Sequence, residues 1–517
     1  MPLQPAVLPP GVSKARFQQA LAEYRAALGA DRVIVEIERL LSYTKVMLTE
    51  DEGLHQPSGV LIATTVEEIQ KVLAICNRYG IPVWTISTGR NFGYGSAAPA
   101  TPGQMVLDLR RMNRILEVDA EMGTALVEPG VTYQQLQDYL DEHQLPYWLN
   151  FPGPGPIVGP VGNTLDRGVG NNRYGEQMAH FCGMEVVLAD GQVVRTGMGG
   201  VKGSNTWQSY RWGYGPWLDG LFSQSNLGVV TKMGFWLMAK PETHLTIVTA
   251  LPDEDSFAKA VDVMRRLRLQ SVIDNGVAGG ALYGLSMTTR RSEIHQGKGA
   301  IPDNVMADFL VKHHAAPYVI VSTLYGSAEQ VEANLSVARR AYAGLGAFVT
   351  SRELGERMPP DLKHLIHTQT GQLNLDEFGV YNYRGGGGSV WFAPVVQAKG
   401  SEVIKNIRLC TDVYRSFGFD YAGGFLMGYS GRHFDHITEL TFDRTDSEEM
   451  QRAHACFGKL IEVNAAHGYA PYRVNTAFMQ QVSQVYGPAQ RALQRKLKRA
   501  LDPRGILAPG KSGITVT

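Results

Sequence analysis

Residues 81–96 read Ile81-Pro-Val-Trp-Thr-Ile-Ser-Thr-Gly-Arg-Asn-Phe-Gly-Tyr-Gly-Ser96. Ile81 to Ser87 has the apolar and β-branched content of a strand, and Thr88 to Ser96 follows at once as a glycine-rich loop. A strand opening into such a loop exposes successive backbone N–H groups, which form a concavity suited to a pyrophosphate. The glycines do not fall at positions one, three and six of the dinucleotide fingerprint, and no Walker lysine follows. A standard Rossmann or P-loop site is therefore not expected. Gly159-Pro-Val-Gly-Asn-Thr-Leu-Asp-Arg-Gly-Val-Gly170 repeats the theme.

A third glycine-rich stretch has a different texture: Phe378-Gly-Val-Tyr-Asn-Tyr-Arg-Gly-Gly-Gly-Gly-Ser-Val-Trp-Phe-Ala-Pro394. Four consecutive glycines weaken a strand entropically but let backbone come close to something flat or bulky. A flexible linker is the alternative. Tyr381, Tyr383 and Trp391, which linkers seldom carry, favour a ligand.

Composition agrees with an enzyme on a small neutral substrate. The 517 residues allow two to four domains, and 44% hydrophobic content suffices for sizeable cores. Equal counts of 49 basic and 49 acidic residues leave no net field to attract nucleic acid or an anionic membrane. Cys76, Cys182, Cys410 and Cys456 are far apart and form no CxxC, no haem-attachment CxxCH and no zinc spacing. Met1 to Gly11 has no secretory pattern, and no downstream run is apolar enough to span a bilayer. These features predict a soluble, cytoplasmic chain, or a periplasmic one if a partner carries it there.

The patterning predicts an α+β chain of two unequal domains. From Gly59 to about Leu237, short β-rich runs alternate with amphipathic helices. Thr65-Val-Glu-Glu68 is a capping-box pattern for a helix running to Gly80. Strands are expected at Met105 to Leu109, Ile115 to Val118 and Ala125 to Val127, and a helix at Tyr133 to His143. Asp190-Gly191 between Glu185–Leu188 and Val193–Arg195 is a hairpin signal. After Lys240-Pro-Glu242 the texture changes to strands at His244 to Leu251 and Tyr318 to Leu324, spaced by helices Ser256 to Arg268 and Ala328 to Leu345. A substrate-covering cap at 242–473 is expected, with 1–241 forming the first domain and 474–517, including a basic helix at Ala489 to Leu501, returning to it.

Seven segments in order then resemble one family, the flavin enzymes of the vanillyl-alcohol oxidase and p-cresol methylhydroxylase group. They are Ser87–Pro99, Val161–Gly170, Arg195–Gly200, Ser225–Gly234, the tyrosine and glycine stretch, Tyr472-Arg473, and the tail Ile506–Gly513. The resemblance runs nearly end to end and is nearest the methylhydroxylase branch. It implies a two-domain FAD-binding fold with an α+β cap. By position it implies that Ser87, Thr88, Gly89, Arg90, Asn91, Gly93, Gly162, Asn163, Thr164, Gly228, Val230 and Lys511 hold FAD. It also implies that Tyr94, Tyr472 and Arg473 clamp a phenolate, with a homodimer of the flavoprotein.

The implied chemistry is oxidation of a para-alkylphenol. A free phenol has a pKa near 10 and must be all but deprotonated before a hydride can leave its benzylic carbon. Hydride loss gives a quinone methide, and water adds to give the benzylic alcohol. Glu439, ahead of Thr441-Phe-Asp-Arg444, stands where the pattern places the water-activating acid. A second carboxylate expected after Asp420-Tyr421 is missing, because Ala422-Gly-Gly424 follows. In the oxidase branch a histidine at the Ser389 position bonds the flavin, which serine cannot do, whereas Tyr381 matches the tyrosine used by the methylhydroxylase branch. A tyrosyl ether to FAD through Tyr381 is therefore expected.

The absence of an acid in Asn150–Pro156, the altered Gly170–Gly175 and Gly428–His436 segments, and the small Gly423 and Gly424 suggest a wider cavity and a bulky guaiacyl or lignan-type phenol. His433 and His436 with Glu439 can be read as metal ligands at helical spacing. The run Ile437–Phe442 reads as a strand, where those spacings do not converge, so no metal is expected. Electrons are expected to pass to a separate c-type cytochrome subunit. The alternatives are a hydrogen-peroxide-producing oxidase and a flavin- or ligand-binding protein without turnover.

Overall fold

The computed structural model describes residues 7–47, 52–153 and 155–517. The first six residues and Pro154, which the sequence readings above touch, lie outside them. Among the described residues three larger sheets and one two-stranded pair carry the fold.

The first sheet contains β1 (Val33–Ile34), β2 (Gly59–Ile62), β3 (Val83–Ile86) and β4 (Met105–Asp108), in the order β1-β2-β4-β3. β2 and β3 both run parallel to β4, with helix Val66–Tyr79 as the crossover between them. That helix and Lys14–Leu28 bury Ile69, Val72, Leu73, Phe17 and Leu21 against the sheet. The predicted capping box forms by half. The Thr65 hydroxyl accepts from Glu68 N at 3.2 Å, but the Glu68 carboxylate turns to Thr64 N at 2.8 Å and to Arg32.

The second sheet takes β5 (Ile115–Asp119) and β6 (Thr124–Val127), bypasses a short pair whose first strand is β7 (Tyr147–Trp148), and continues with β8 (Phe181–Val187), β9 (Val193–Arg195) and β10 (Val229–Trp236). β8 and β9 form the expected hairpin, with Val187 opposite Val193. β11 (Met238–Ala239) pairs with β7.

The third sheet has eight antiparallel strands: β12 (Thr243–Leu251), β13 (Val277–Gly280), β14 (Tyr318–Gly326), β15 (Ala347–Thr350), β16 (Gly388–Gln397), β17 (Ala422–Met427), β18 (His433–Phe442) and β19 (Pro471–Arg473). Their order is β15-β12-β14-β13-β17-β18-β16-β19. Period-two alternation divides its residues between two faces. Val390, Phe392, Leu440 and Phe442 pack under helices Gly400–Ser416 and Ser447–Ala466. Trp391, Ala393 and Ile437 point the other way and meet Tyr94 of the first glycine-rich loop. This second face becomes one wall of the site.

The C-terminal tail returns to the first sheet. Val83 N donates to Ile506 O at 2.7 Å, and Ala508 N donates to Val83 O at 2.8 Å. Helix Pro488–Leu501 locks the return through Lys498, which is fully buried, ion-paired with Asp502 at 2.7 Å and bonded to Asn226 O and Leu507 O. Among the described residues no helix is long and apolar enough to cross a membrane.

The run Gly385–Gly388 leads into β16. Gly386 has φ +65, and a Cβ there would fall 1.8 Å from Asp443 Oδ1; a Cβ on Gly388 would fall 2.4 Å from Phe442 O. At Gly386 and Gly388 the close approach that glycine permits is to the Phe442–Asp443 end of β18, at the tight entry into β16, whereas Gly385 and Gly387 face open space.

Candidate functional site

Where β3 ends, Ser87, Thr88, Gly89, Arg90 and Asn91 curve around a cavity of about 150 Å³. Gly162 and Asn163 from helix Pro160–Leu165, Gly228 and Val230 at the start of β10, Arg473 at the end of β19, and Lys511 from the tail complete its wall. Close packing fixes its shape. A Cβ on Gly162 would fall 2.1 Å from Ser87 Oγ, and one on Gly228 would fall 2.4 Å from Val186. Three of the residues expected to bind FAD lie off this wall: Tyr381, described below, Thr164 and Gly93. Thr164 is buried behind it with its hydroxyl unpartnered. Gly93 lies against the Trp391 ring, at 3.2 Å for an added Cβ.

A charge network missed by the sequence reading organises this cradle. Asp166 accepts from Lys511 Nζ at 2.8 Å and from Asn91 Nδ2 at 3.1 Å, while Arg473 donates to the Asn91 side-chain oxygen. Burial works to raise the Asp166 pKa, but Lys511, Arg473 and Arg167 outweigh it and hold the carboxyl below its ordinary value. Gln224 also lines the cavity and donates to Tyr472 O at 2.7 Å. Neither Asp166 nor Gln224 carries a motif; the Asp166-Arg167 pair closing the second glycine loop is the only signal.

The three expected clamp residues come together. The Arg473 guanidinium lies 4.2 Å from the Tyr94 ring centroid, and Trp391 meets the same ring edge-on at 5.6 Å. The segment after Arg473 holds Tyr94 in place: Thr476 N and Oγ1 both donate to Tyr94 O at 3.0 Å, and Asn475 Nδ2 donates to Gly93 O at 3.1 Å. Burial pushes the Tyr94 hydroxyl up to about 12 despite the nearby Arg473. Tyr472 is raised further by burial, with Tyr94 and Asp435 adding to it. Both tyrosines are thus hydrogen-bond donors at neutral pH, beside a fixed cation.

Across this face, β18 and β16 place Glu439 opposite Trp391. Glu439 is buried and accepts from Ser286 Oγ at 2.9 Å. Burial, with help from Glu377, raises its pKa to about 8. Glu377, unassigned by the sequence reading, is raised by burial to about 7. It is a second carboxyl close enough to Glu439 to raise it. Its carboxyl also fills the space over Gly153, where an added Cβ would fall 0.9 Å from Oε2, so an acid does reach the Asn150–Pro156 segment. The sequence signal was present, four residues before Tyr381, but nothing in it shows which way the side chain turns.

Tyr381 sits in the turn Asp376–Asn382, tied to the first glycine loop through Phe378, whose ring meets Phe92 at 5.0 Å and Tyr381 at 5.8 Å. Its hydroxyl is buried without a partner, as are Tyr94 Oη, Thr164 Oγ1, Ser389 Oγ, Trp391 Nε1 and Arg473 Nε. Buried polar atoms nearly always find partners. Five of these orphans line the walls, with Thr164 behind them, and together with the N–H-rich loop they fit a flat polar group such as FAD.

One reading needs correction. Gly423 and Gly424 do not widen the site: a Cβ on Gly424 would fall 2.5 Å from the Tyr283 ring, and one on Gly423 would fall 2.3 Å from Tyr421 Oη. The space that the missing side chains leave is filled by two tyrosines. The histidines of the altered loop sit on opposite faces of β18. His436 bonds Tyr421 at 2.7 Å and Asn406 at 2.6 Å, whereas His433 pairs with Glu176 at 2.9 Å.

Comparison with known proteins adds the following. A family model described as the FAD binding domain matches residues 57–197, and one described as the C-terminal domain of FAD linked oxidases matches residues 401–512. The chain is 47% identical over 513 residues to the 4-cresol dehydrogenase [hydroxylating] flavoprotein subunit of Pseudomonas putida, covering 98% of both. It superposes on a substrate-bound crystal structure of p-cresol methylhydroxylase with a TM-score of 0.96 at 47% identity, covering 99% of both chains. With 4-ethylphenol oxidase from Gulosibacter chungangensis in its isoeugenol complex, the TM-score is 0.94 at 31% identity, covering 98% of this chain and 99% of the other.

Proposed function

Because the chain belongs to the vanillyl-alcohol oxidase and p-cresol methylhydroxylase flavoprotein family and is a flavin-dependent oxidoreductase, we propose that it oxidises a 4-alkylphenol at the benzylic carbon and hydrates the product. The observation that carries this reading is the Arg473 guanidinium set 4.2 Å from the ring of Tyr94, with Tyr472 beside it. A cation and two buried hydroxyl donors are what a phenolate oxygen needs. Lowering the phenol pKa by two to three units corresponds to roughly 3 to 4 kcal/mol, within reach of charge-assisted hydrogen bonds in a dry site.

FAD would lie in the cradle of Ser87–Asn91, Gly162, Asn163, Gly228, Val230 and Lys511, joined through the Tyr381 oxygen, and when bound it supplies the hydride acceptor. Arg473, Tyr94 and Tyr472 hold the substrate as phenolate, so that loss of the hydride leaves a neutral quinone methide. Water adds at the methylene carbon. The proton it sheds goes to the Glu377 and Glu439 pair, which titrates near neutrality and so can both take and release it. Residues 1–241 with 474–517 form the flavin-binding unit in this reading, and 242–473 the cap.

For the natural oxidant we favour a separate c-type cytochrome subunit over oxygen, with a homodimer of this chain. Tyr381 and Ser389 support that branch, as does the description of the Pseudomonas putida relative as a flavoprotein subunit. The Tyr283 ring filling the space at Gly424, which pairs with Ile437 on the site face, favours a compact para substituent over a lignan.

The test is anaerobic mixing of the purified holoprotein with a panel of 4-alkylphenols, including guaiacyl and lignan members, followed by air or by cytochrome c. Bleaching of the flavin by small members, with recolouring by cytochrome c, is expected. No bleaching by any member contradicts the reading, and rapid recolouring in air alone selects the oxidase alternative.

A further inference from the structure

Beside Glu377 stands a buried histidine. Helix Pro360–Gln369 carries His364, which is 2% exposed and has its Nε2 3.9 Å from Glu377 Oε2. The other ring nitrogen, Nδ1, lies 3.0 Å from Asn374 Oδ1. Two further bonds fix which way the Asn374 amide faces: Oδ1 accepts from Asp376 N at 3.1 Å, and Nδ2 donates to Gln372 O at 3.1 Å. The atom facing the ring is therefore an oxygen, which can only accept, so Nδ1 carries the hydrogen. Burial holds His364 below its ordinary pKa, so the ring is neutral at pH 7 and Nε2 is a bare acceptor on the side of the carboxyl.

We propose that His364, fixed as its Nδ1–H tautomer by Asn374, is the positioning residue for Glu377, accepting a hydrogen bond from the carboxyl once Glu377 has taken the proton of the added water; this rests on the phenol reading of the site. Glu377 starts ionised. The water oxygen bonds to the methylene carbon of the quinone methide, one water O–H breaks, and its proton goes to the Glu377 carboxylate. The electron pair of the exocyclic double bond passes through the ring to the carbonyl oxygen, which returns to the clamp as phenolate. One O–H bond breaks, one O–H and one C–O bond form, and no outside oxidant or reductant is needed. A turn of the protonated carboxyl then closes the 3.9 Å gap to Nε2. An acceptor that bonds the neutral acid makes Glu377 a stronger base than burial alone does.

The groups around the pair suit this task. On the His364 side, Asp376 draws the ring toward protonation and His367, one turn on along the helix, opposes it. Those two stand 3.9 Å from each other and are largely in solvent, where their charges are screened. On the Glu377 side stand Glu439 and the hydroxyls of Tyr94, Tyr283 and Tyr381, each raised by burial with Glu377 adding to the shift. Glu377 itself is raised by burial, with no cation among the causes. The neighbouring ring nitrogen therefore decides which form of the acid is hydrogen-bonded.

The test reads Glu377 protonation directly. In the holoprotein, the carboxylic C=O infrared band that Glu377→Gln removes is followed from about pH 4 to 9. Asn374→Leu takes the acceptor from Nδ1 and lets the ring carry its hydrogen on Nε2, while Asn374→Asp draws a second proton onto the ring. Both changes turn Nε2 into a donor to ionised Glu377. The band is expected to vanish near 7 in the parent and at least about one pH unit lower in both variants. The acid limb of benzylic alcohol formation, measured by rapid quench, should move down with the band and lead to a lower plateau. A band that titrates as in the parent in both variants, or a limb that stays while the band moves, would overturn the role of His364. A parent that no phenol bleaches overturns the phenol reading and the hydration task with it, whereas the infrared titration still decides which nitrogen form faces Glu377.

Discussion

The two walls of the site are held by opposite electrostatic means. On the cradle side, Asp166 is ionised, fixed by Lys511 and sharing Asn91 with Arg473. On the sheet side, Glu377 and Glu439 owe their shifts to burial and, for Glu439, to its carboxyl neighbour, and both titrate near neutrality. A paired carboxylate is a structural anchor whose charge does not change across the working pH range, while a desolvated one is a proton carrier. The difference teaches where binding ends and chemistry begins: the cradle keeps permanent charge, and the facing sheet keeps protons that can move.

Replacing Tyr381 tests the sheet side most drastically. In Tyr381→Phe, all the flavin should be released on acid denaturation, whereas the parent should keep its colour with the polypeptide. Colour retained by the variant would rule out the ether. Next in size, Arg473→Ala should lower phenol-driven flavin reduction roughly 10³-fold, the loss of about 4 kcal/mol, with flavin still bound. An undiminished rate would mean that the cation serves only the cradle.

Glu377→Gln should leave flavin reduction within a few-fold of the parent but slow formation of the benzylic alcohol roughly 10- to 100-fold at pH 7, as measured by rapid quench. Equal slowing of both half-reactions would place Glu377 in substrate binding instead. The smallest effect concerns stability. Glu439 has a folded pKa of about 8 against an ordinary 4.5, so the folded state binds the extra proton between those values. Its contribution is complete below about 4.5 and is lost as pH rises through 8. Glu439→Gln should therefore melt a few degrees above the parent at pH 9, relative to the difference seen at pH 5. An unchanged difference would show that Glu439 is not desolvated.

Glycine loops and strand runs were legible because they are local. The Ile81–Ser96 strand-to-loop passage, the Asp190-Gly191 hairpin and the first strands after Glu242 stand where patterning puts them, to within a few residues at each end. The clamp was legible through resemblance, since Tyr94 lies more than 370 positions before Tyr472 and Arg473 and no periodicity joins them. What stayed hidden depends on side-chain direction across the fold. Glu377 looked like frame for Tyr381 until its carboxyl was found over Gly153, and Asp166 like loop filler until Lys511 reached it from the tail. Gly423 and Gly424 looked like empty space because the tyrosines that occupy it come, for Gly424, from Tyr283 about 140 positions away and, for Gly423, from a neighbour folded back. At Gly386 and Gly388, likewise, sequence shows that backbone approaches something, but not that it is Asp443 and Phe442.

The central claim is that the clamp works on an ionised phenol oxygen. Its most direct test is anaerobic flavin bleaching by a 4-alkylphenol compared with its O-methyl ether, which has the same benzylic carbon but no proton to lose. Bleaching by the phenol alone is the predicted result. Comparable bleaching by the ether, or none by the phenol, would contradict the account.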